Sequence, residues 1–153
     1  MSSIASTINA KIKTLLEAIA TGSGYQNDVK RVSRLFIPPQ PEDKSTAFPY
    51  ICFGPLKYTE EALDANNTMK DVQAELSLGF WVKYEEATVD SDILDFYSDI
   101  KKALETDYTL GRLVVNSSVG RCEIAEITPH SGFVSAFSRF DFRFTHTAGD
   151  PTT

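Results

Sequence analysis

The clearest pattern in the chain is a strict alternation of apolar and polar side chains over Val72–Tyr84. A period of two is typical of a β-strand with one buried face and one wetter face. The apolar members are Val72, Ala74, Leu76, Leu78, Phe80 and Val82. At about 3.3 Å per residue this strand spans roughly 40 Å, so we expect it to project beyond the sheet of a small domain.

Two other segments repeat apolar residues at intervals of three and four, which places one apolar stripe along a helix. The first predicted helix is Ser3–Thr21, ended by Gly22, and the second is Asp90–Glu105. Asp90 or Ser91 is expected to cap the second helix, because short polar side chains can accept hydrogen bonds from the first free backbone amides.

The remaining apolar runs are bounded by turn residues, which favours strands. These runs are Val29–Ile37, Phe48–Phe53, Arg112–Asn116, Arg121–Thr128 and Gly132–His146. Gly54 and Pro55 are expected to close the second run, and Pro129–Gly132 is expected to form the turn before the last. The long polar connection Glu60–Asp71 is interpreted as a hairpin tip that protrudes from the sheet.

The order of these elements predicts the fold class. In the 153-residue chain, consecutive strands stand both before and after the second helix and helices are few, which favours an α+β fold. The sheet should be mainly antiparallel, with two helices packed on one face. Residues 1–147 are expected to form a single α+β domain, and residues 148–153 a flexible C-terminal tail.

The charge of the chain bears on its partners. A net charge of −6, from 15 Lys+Arg against 21 Asp+Glu, disfavours nucleic-acid binding because such a chain repels phosphate on average. Lys30, Arg31 and Arg34 form a local basic group that could contact phosphate or be a solvated or interfacial strand face. A nucleic-acid module is therefore a rival hypothesis. No apolar run is long enough to span a membrane and no signal-peptide pattern occurs, so we expect a soluble protein made in the cytoplasm.

The sequence contains no recognisable catalytic constellation. The histidines, His130 and His146, and the cysteines, Cys52 and Cys122, lack metal-ligand spacing. His146 continues the apolar face of the last strand, which favours a strand-end histidine over a general base. The cysteines are expected to be buried thiols, although a disulfide between neighbouring strands stays open. We expect no catalytic, cofactor or metal site; a small enzyme or ligand-binding domain is a rival that requires a deep pocket.

The remaining functional signal is a set of side chains suited to protein contacts. The interface candidates are Glu60, Asp64, Asn66, Asn67, Trp81, Arg139, Asp141 and Arg143. Trp81 falls on the polar side of its strand, so it is either part of a second small cluster or an aromatic anchor in an interface. Arg139, Asp141 and Arg143 alternate in charge, which fits pairing with a neighbouring copy or an ordinary exposed sheet face.

Four segments in this order carry a family resemblance. They are the N-terminal helix Ile4–Ala20, the proline- and tyrosine-containing strand Phe48–Phe53, the strand end Gly79–Tyr84 and the helix Asp92–Leu104. With these segments the chain resembles the tail terminator (tail completion, or minor tail) proteins of long-tailed bacteriophages. The resemblance covers most of the chain, and it depends on the order and spacing of the segments together.

The resemblance implies an α+β domain that assembles as a hexameric ring on the finished tail tube. Such a ring stops tube polymerisation, joins the tube to the neck or connector proteins and, in contractile tails, meets the tail sheath protein. It implies a location in the virion at the tail–neck junction, with no membrane and no sequence-specific nucleic acid among the partners. Another neck or head–tail connector protein is the alternative, because related neck proteins share parts of this architecture.

Overall fold

The computed structural model of the chain describes residues 3–34, 47–128 and 132–150. Its helices are α1 (Ile4–Glu17) and α2 (Val89–Glu105), and a short 3₁₀ turn (Thr21–Ser23) follows α1. Its strands are β1 (Arg31–Ser33), β2 (Tyr50–Ala62), β3 (Met69–Lys83), β4 (Asn116–Val119), β5 (Glu123–Thr128) and β6 (Phe133–Thr147).

The strands form one sheet in the order β1-β2-β3-β6-β4, and β5 also pairs with β6. Neighbouring strands are antiparallel, except that β1 runs parallel to β2. β2 and β3 form a hairpin, and β3 pairs along its whole length with β6. The predicted long central strand and the predominantly antiparallel sheet are therefore confirmed. The expectation that this strand projects beyond the sheet is wrong, because β6 pairs with β3 from Met69 to Lys83.

Both helices pack on one face of this sheet, and the main hydrophobic core lies between the two layers. The helices contribute Ile8, Ile12, Leu16, Ile93, Phe96, Ile100, Ala103 and Leu104. All six apolar members of the β3 alternation are buried against them. Because each large apolar side chain stabilises by roughly 1.5–3 kcal/mol when fully buried, this layer is the main source of stability. The predicted α+β fold is confirmed.

The connection after α1 is tied to α2 by a buried carboxylate. Asp99 is 3% exposed. It accepts hydrogen bonds from the backbone amides of Gln26 (3.0 Å) and Asn27 (2.8 Å) and from the Asn27 side-chain amide (2.9 Å). On the same helix, Lys102 Nζ donates to the Gly24 carbonyl oxygen at 2.7 Å. Two charged groups of α2 thus fix the path of the chain from α1 towards β1.

α1 ends at Glu17, so the prediction that this helix extends to Thr21 is wrong. Ala20 is already extended, with φ of −152°. The Asp28 carboxylate accepts hydrogen bonds from the Thr21 amide (2.7 Å) and hydroxyl (3.1 Å), which holds the chain in a 3₁₀ turn. Ile19 is nevertheless only 1% exposed, which explains why the apolar spacing continues past the end of the helix.

The start of α2 also differs from the prediction. The helix begins at Val89 with Thr88 at the N-cap position, so the predicted caps Asp90 and Ser91 are wrong. The Thr88 hydroxyl donates to the Asp92 carboxylate at 2.8 Å and makes no capping bond to a backbone amide. Asp90 and Asp92 lie in the first turn, where the helix dipole favours negative charge.

Gly54 and Pro55 do not close a strand, which corrects the prediction from sequence. β2 continues through them, and its register with β3 shifts between Phe53 and Leu56, forming a β-bulge. Proline is tolerated at a bulge because its missing N–H is not needed by the ladder. Gly54 has φ of +126°, a conformation that glycine adopts without strain from a Cβ.

The predicted strand Arg112–Asn116 is wrong in position, because β4 begins only at its last residue. The segment before β4 is a series of turns, with positive φ at Leu110 (49°) and Gly111 (70°). The Asp107 carboxylate accepts a hydrogen bond from the Gly111 amide at 2.7 Å, as aspartate commonly does in turns. Leu110 and Val114 are buried, so the apolar residues here cover the core without forming a strand.

Three predictions fall partly outside the described residues. β1 is shorter than the predicted strand Val29–Ile37, of which residues 35–37 lie outside the described part. Most of the turn at Pro129–Gly132, including His130, also lies outside it. Of the predicted C-terminal tail, residues 148–150 form a turn in which the Ala148 amide donates to the Thr68 carbonyl at 2.8 Å. The flexible tail itself stays a prediction.

Candidate interaction surfaces

The β2–β3 hairpin ends in a tip, residues 63–68, in which every residue is exposed. The tip contains the interface candidates Asp64, Asn66 and Asn67. Glu60 lies on β2 just before it, and Leu63 is 48% exposed. The hairpin tip predicted for Glu60–Asp71 is confirmed for residues 63–68, whereas the two ends of that segment belong to β2 and β3. The tip presents two apolar side chains, Leu63 and Ala65, among polar ones.

Side chains of the tip and its base hold the tip in one conformation. The Asp64 carboxylate accepts hydrogen bonds from the Thr68 amide, at 2.7 Å, and from the Thr68 hydroxyl, and these bonds lower the pKa of Asp64. Asn67 has φ of +57°, a left-handed conformation that asparagine tolerates, and its side-chain oxygen accepts from Lys70 Nζ. A tip already ordered in the free chain loses less conformational entropy when a partner binds.

Two side-chain pairs brace the base of the hairpin, one on each face of the sheet. On the helix side, His146 Nε2 on β6 lies 2.9 Å from Glu60 Oε1 on β2. On the opposite side, Arg143 Nε on β6 lies 2.6 Å from Asp71 Oδ1 on β3. Both pairs join hairpin strands to β6, so they limit how far the hairpin can move relative to the sheet.

The sheet face opposite the helices, here called the open face, brings together Arg139, Asp141 and Arg143. Arg139 Nε lies 3.0 Å from Asp141 Oδ1, and Arg139 Nη1 lies 3.5 Å from Glu75 Oε2. The alternating charged side chains seen in the sequence therefore pair with one another and with Glu75 in the chain's own sheet. Exposed pairs of this kind stabilise little individually, and they leave a polar surface of mixed charge accessible to a partner.

An open groove of about 460 Å³ crosses the open face. Its lining includes Lys57, Thr59, Gln73, Glu75, Arg139 and Arg143. The groove opens to solvent and mixes both signs of charge, which is closer to a protein contact surface than to the enclosed apolar pocket typical of small-molecule sites.

Trp81 lies apart from the other candidates, near the end of β3 far from the hairpin tip. It is 2% exposed and belongs to a second cluster with Tyr50 and Cys52. The Trp81 ring centroid is 5.3 Å from that of Tyr50 and 6.2 Å from that of Phe137. Of the two interpretations that the sequence left open, this placement matches the second cluster, because so buried an indole offers almost no surface to a partner.

The basic group is exposed at the edge of the sheet: Lys30, Arg31 and Arg34 all face solvent. The Arg31 guanidinium lies over the Tyr50 ring, 5.4 Å from its centroid. This cation–π contact fixes one of the three cations on the chain's own aromatic cluster. The other two leave only a small basic surface.

In residues 3–34, 47–128 and 132–150 no group of three or more His, Cys, Asp or Glu side chains is arranged to hold a metal ion. None of the helices in the same ranges has the length and apolar character needed to cross a bilayer. Cys52 packs in the second cluster and Cys122 against the main core, and burial raises the pKa of the Cys122 thiol.

Two contacts at the base of the hairpin were not predicted from the sequence. They are the pairing of Asp71 with Arg143 and the pairing of His146 with Glu60. His146 was placed on the correct apolar face, and it is 6% exposed. Its pairing with Glu60 reaches diagonally across β3 and joins residues far apart in the chain. Only the strand register reveals such a pair, so no local pattern could have indicated it.

Comparison with known proteins shows a likeness in fold but no family. No protein-family model matches the chain, and no curated protein matches it. Among solved structures, the fold is similar to that of a chain in the virion of a native gene transfer agent (GTA) particle. The TM-score is 0.52 at 13% sequence identity, and the match covers 95% of this chain and 100% of that chain. At this identity the likeness concerns the fold.

Proposed function

We propose that this chain is a structural protein of a virion, and that its role is that of a tail terminator. In this proposal copies of the chain form a hexameric ring that caps the tail tube and joins it to the neck proteins. The chain acts through contacts with other proteins and not through catalysis. The observation that carries the proposal is the end-to-end fold match with a chain of a virion particle.

The order of elements supports the same class of protein independently. The helix, the proline-containing strand, the long central strand and the second helix that resemble tail terminators appear as α1, β2, β3 and α2. The match in fold spans nearly all of both chains, so it is a match of whole domains rather than of one common motif.

The surfaces of the molecule suit a ring. A cyclic ring requires heterologous contacts, in which one patch of each copy meets a different patch of the next. The ordered, exposed hairpin tip and the open face are two such patches on separate parts of the sheet. We propose that the tip, with Leu63 among Asp64, Asn66 and Asn67, contacts a neighbouring copy or the tail tube protein.

Deleting the gene tests the role within the particle. If the chain is a terminator, tube polymerisation is not stopped, so the lysate should contain tails of excessive and variable length in electron micrographs. Complementation with the intact gene should restore a single tail length.

A neck or connector role predicts a different defect. Tails would then reach their normal length but fail to join heads, and this outcome would replace the terminator role with the alternative. Normal, fully joined particles after deletion would contradict both roles.

A further inference from the structure

His146 occupies an unusual position near the end of β6. The residue is 6% exposed, and both of its ring nitrogens have partners within the chain. Nε2 lies 2.9 Å from a carboxylate oxygen of Glu60, and Nδ1 lies 2.8 Å from the carbonyl oxygen of Thr147.

The chemistry of these partners constrains the ring. A backbone carbonyl only accepts hydrogen bonds, and so does an ionised carboxylate. A neutral imidazole has a single N–H and can donate to one of them, whereas an imidazolium has two and can donate to both. The positions of Glu60 and Thr147 around His146 therefore fit the charged ring.

We propose that His146 is a proton-dependent latch on the β2–β3 hairpin. In the charged state Nε2–H donates to Glu60, which ties β2 across β3 to β6. Loss of the proton leaves one N–H for two acceptors and removes the charge that strengthens the bond to Glu60, so the tie at the base of the hairpin weakens. The latch concerns the free chain, so it goes beyond the proposed function and holds whether or not the copies assemble into a ring.

The surroundings of the ring favour its protonated, charged form. The Thr147 carbonyl and then the Glu60 carboxylate raise the pKa of His146 above its ordinary value, against the opposing effects of burial and of Lys70 on β3. Among the described residues, Glu60 and Lys70 are the charged groups acting on the ring. Because the folded pKa is raised, the latch contributes fully below the ordinary histidine pKa of about 6.5 and is lost as pH rises through the folded value.

A second brace limits the consequence of opening the latch. The Arg143–Asp71 pair on the open face joins the same hairpin to β6, and an arginine keeps its charge throughout the pH range of interest. Opening should therefore loosen the end of the hairpin without unfolding the domain.

Histidine NMR tests the charge state directly. His130 and His146 are the histidines of the chain, so His130→Gln leaves one ring to observe. At about pH 6 both His146 nitrogens should show the ¹⁵N shifts of protonated nitrogen, with a titration midpoint above about 6.5. Glu60→Gln should lower that midpoint. A neutral ring at pH 6, or a midpoint unchanged by Glu60→Gln, would overturn the latch.

Amide hydrogen exchange tests the consequence for the hairpin. The protection factors of the backbone amides at residues 60–71 are measured relative to those of α2 at each pH. They should fall by about tenfold as the pH is raised through the pKa of His146, as expected for losing one charge-assisted hydrogen bond. Asp71→Asn should lower protection at every pH but keep the pH dependence. His146→Phe should abolish the pH dependence, and an unchanged pH profile in that variant would overturn the proposal.

Discussion

Replacing Trp81 with alanine is expected to lower the free energy of unfolding of the isolated chain by about 3–5 kcal/mol. The indole is 2% exposed and packs against Tyr50 and Phe137, so its removal leaves a cavity that the surrounding sheet can fill only in part. Urea denaturation followed by circular dichroism measures the change, since the chain has a single tryptophan and fluorescence would be lost.

Tyr58→Ala is the matched control, because Tyr58 is also an aromatic residue of the sheet but is 55% exposed. Its loss should change the free energy of unfolding by no more than about 0.5 kcal/mol. If Trp81→Ala left the isolated chain as stable as Tyr58→Ala does, the indole would have to act as an anchor for a partner and not as part of a cluster.

Replacing Asp99 with alanine is the second large expected effect, a loss of about 2–3 kcal/mol in the free energy of unfolding. The carboxylate is 3% exposed and is the acceptor for the amides of Gln26 and Asn27. Without this carboxylate the two backbone amides lose their hydrogen-bond acceptor, and the connection that follows α1 is no longer fixed to α2. Chemical denaturation at neutral pH measures the loss.

Asp28→Ala provides the control for Asp99 within the same connection. Asp28 also accepts from a backbone amide, that of Thr21, but it is only half-buried. Water can replace that acceptor, so the loss of stability should be clearly smaller. Equal losses in the two variants would contradict the view that burial of Asp99 determines its contribution.

The elements with strong periodic patterns could be predicted from the sequence. The alternation over Val72–Tyr84 became β3, and the two apolar stripes became α1 and α2. These predictions succeed because burial of one face requires a fixed spacing of apolar residues. The α+β class then followed from the order of the elements alone.

The boundaries failed where side-chain hydrogen bonds or a bulge compete with the pattern. Asp28 binds the Thr21 amide in the 3₁₀ turn that takes the place of the last predicted turn of α1, and the Asp107 turn replaces a predicted strand. The bulge at Gly54 lets β2 continue through a residue pair that normally ends a strand. Each depends on the local partner of one polar group or on strand register, which hydrophobic spacing does not encode.

The candidate surfaces were predictable in part for the same reason. The tip residues Asp64, Asn66 and Asn67 were found because a long polar run between strands indicates a hairpin. The pairing of Arg139 and Arg143 within the sheet, and of His146 with Glu60, depends on which strands are neighbours. That order, with β3 between β2 and β6, could not be read from the local patterns.

The proposed role is that of a ring-forming virion protein at the tail–neck junction. Averaged electron-microscopy density of purified particles tests it most directly, because the fold can be fitted to the density at that junction. We predict a single hexameric ring between the tube and the neck that accommodates the sheet, the two helices and the projecting hairpin. Particles that lack the protein, or that carry it only elsewhere, would contradict the claim.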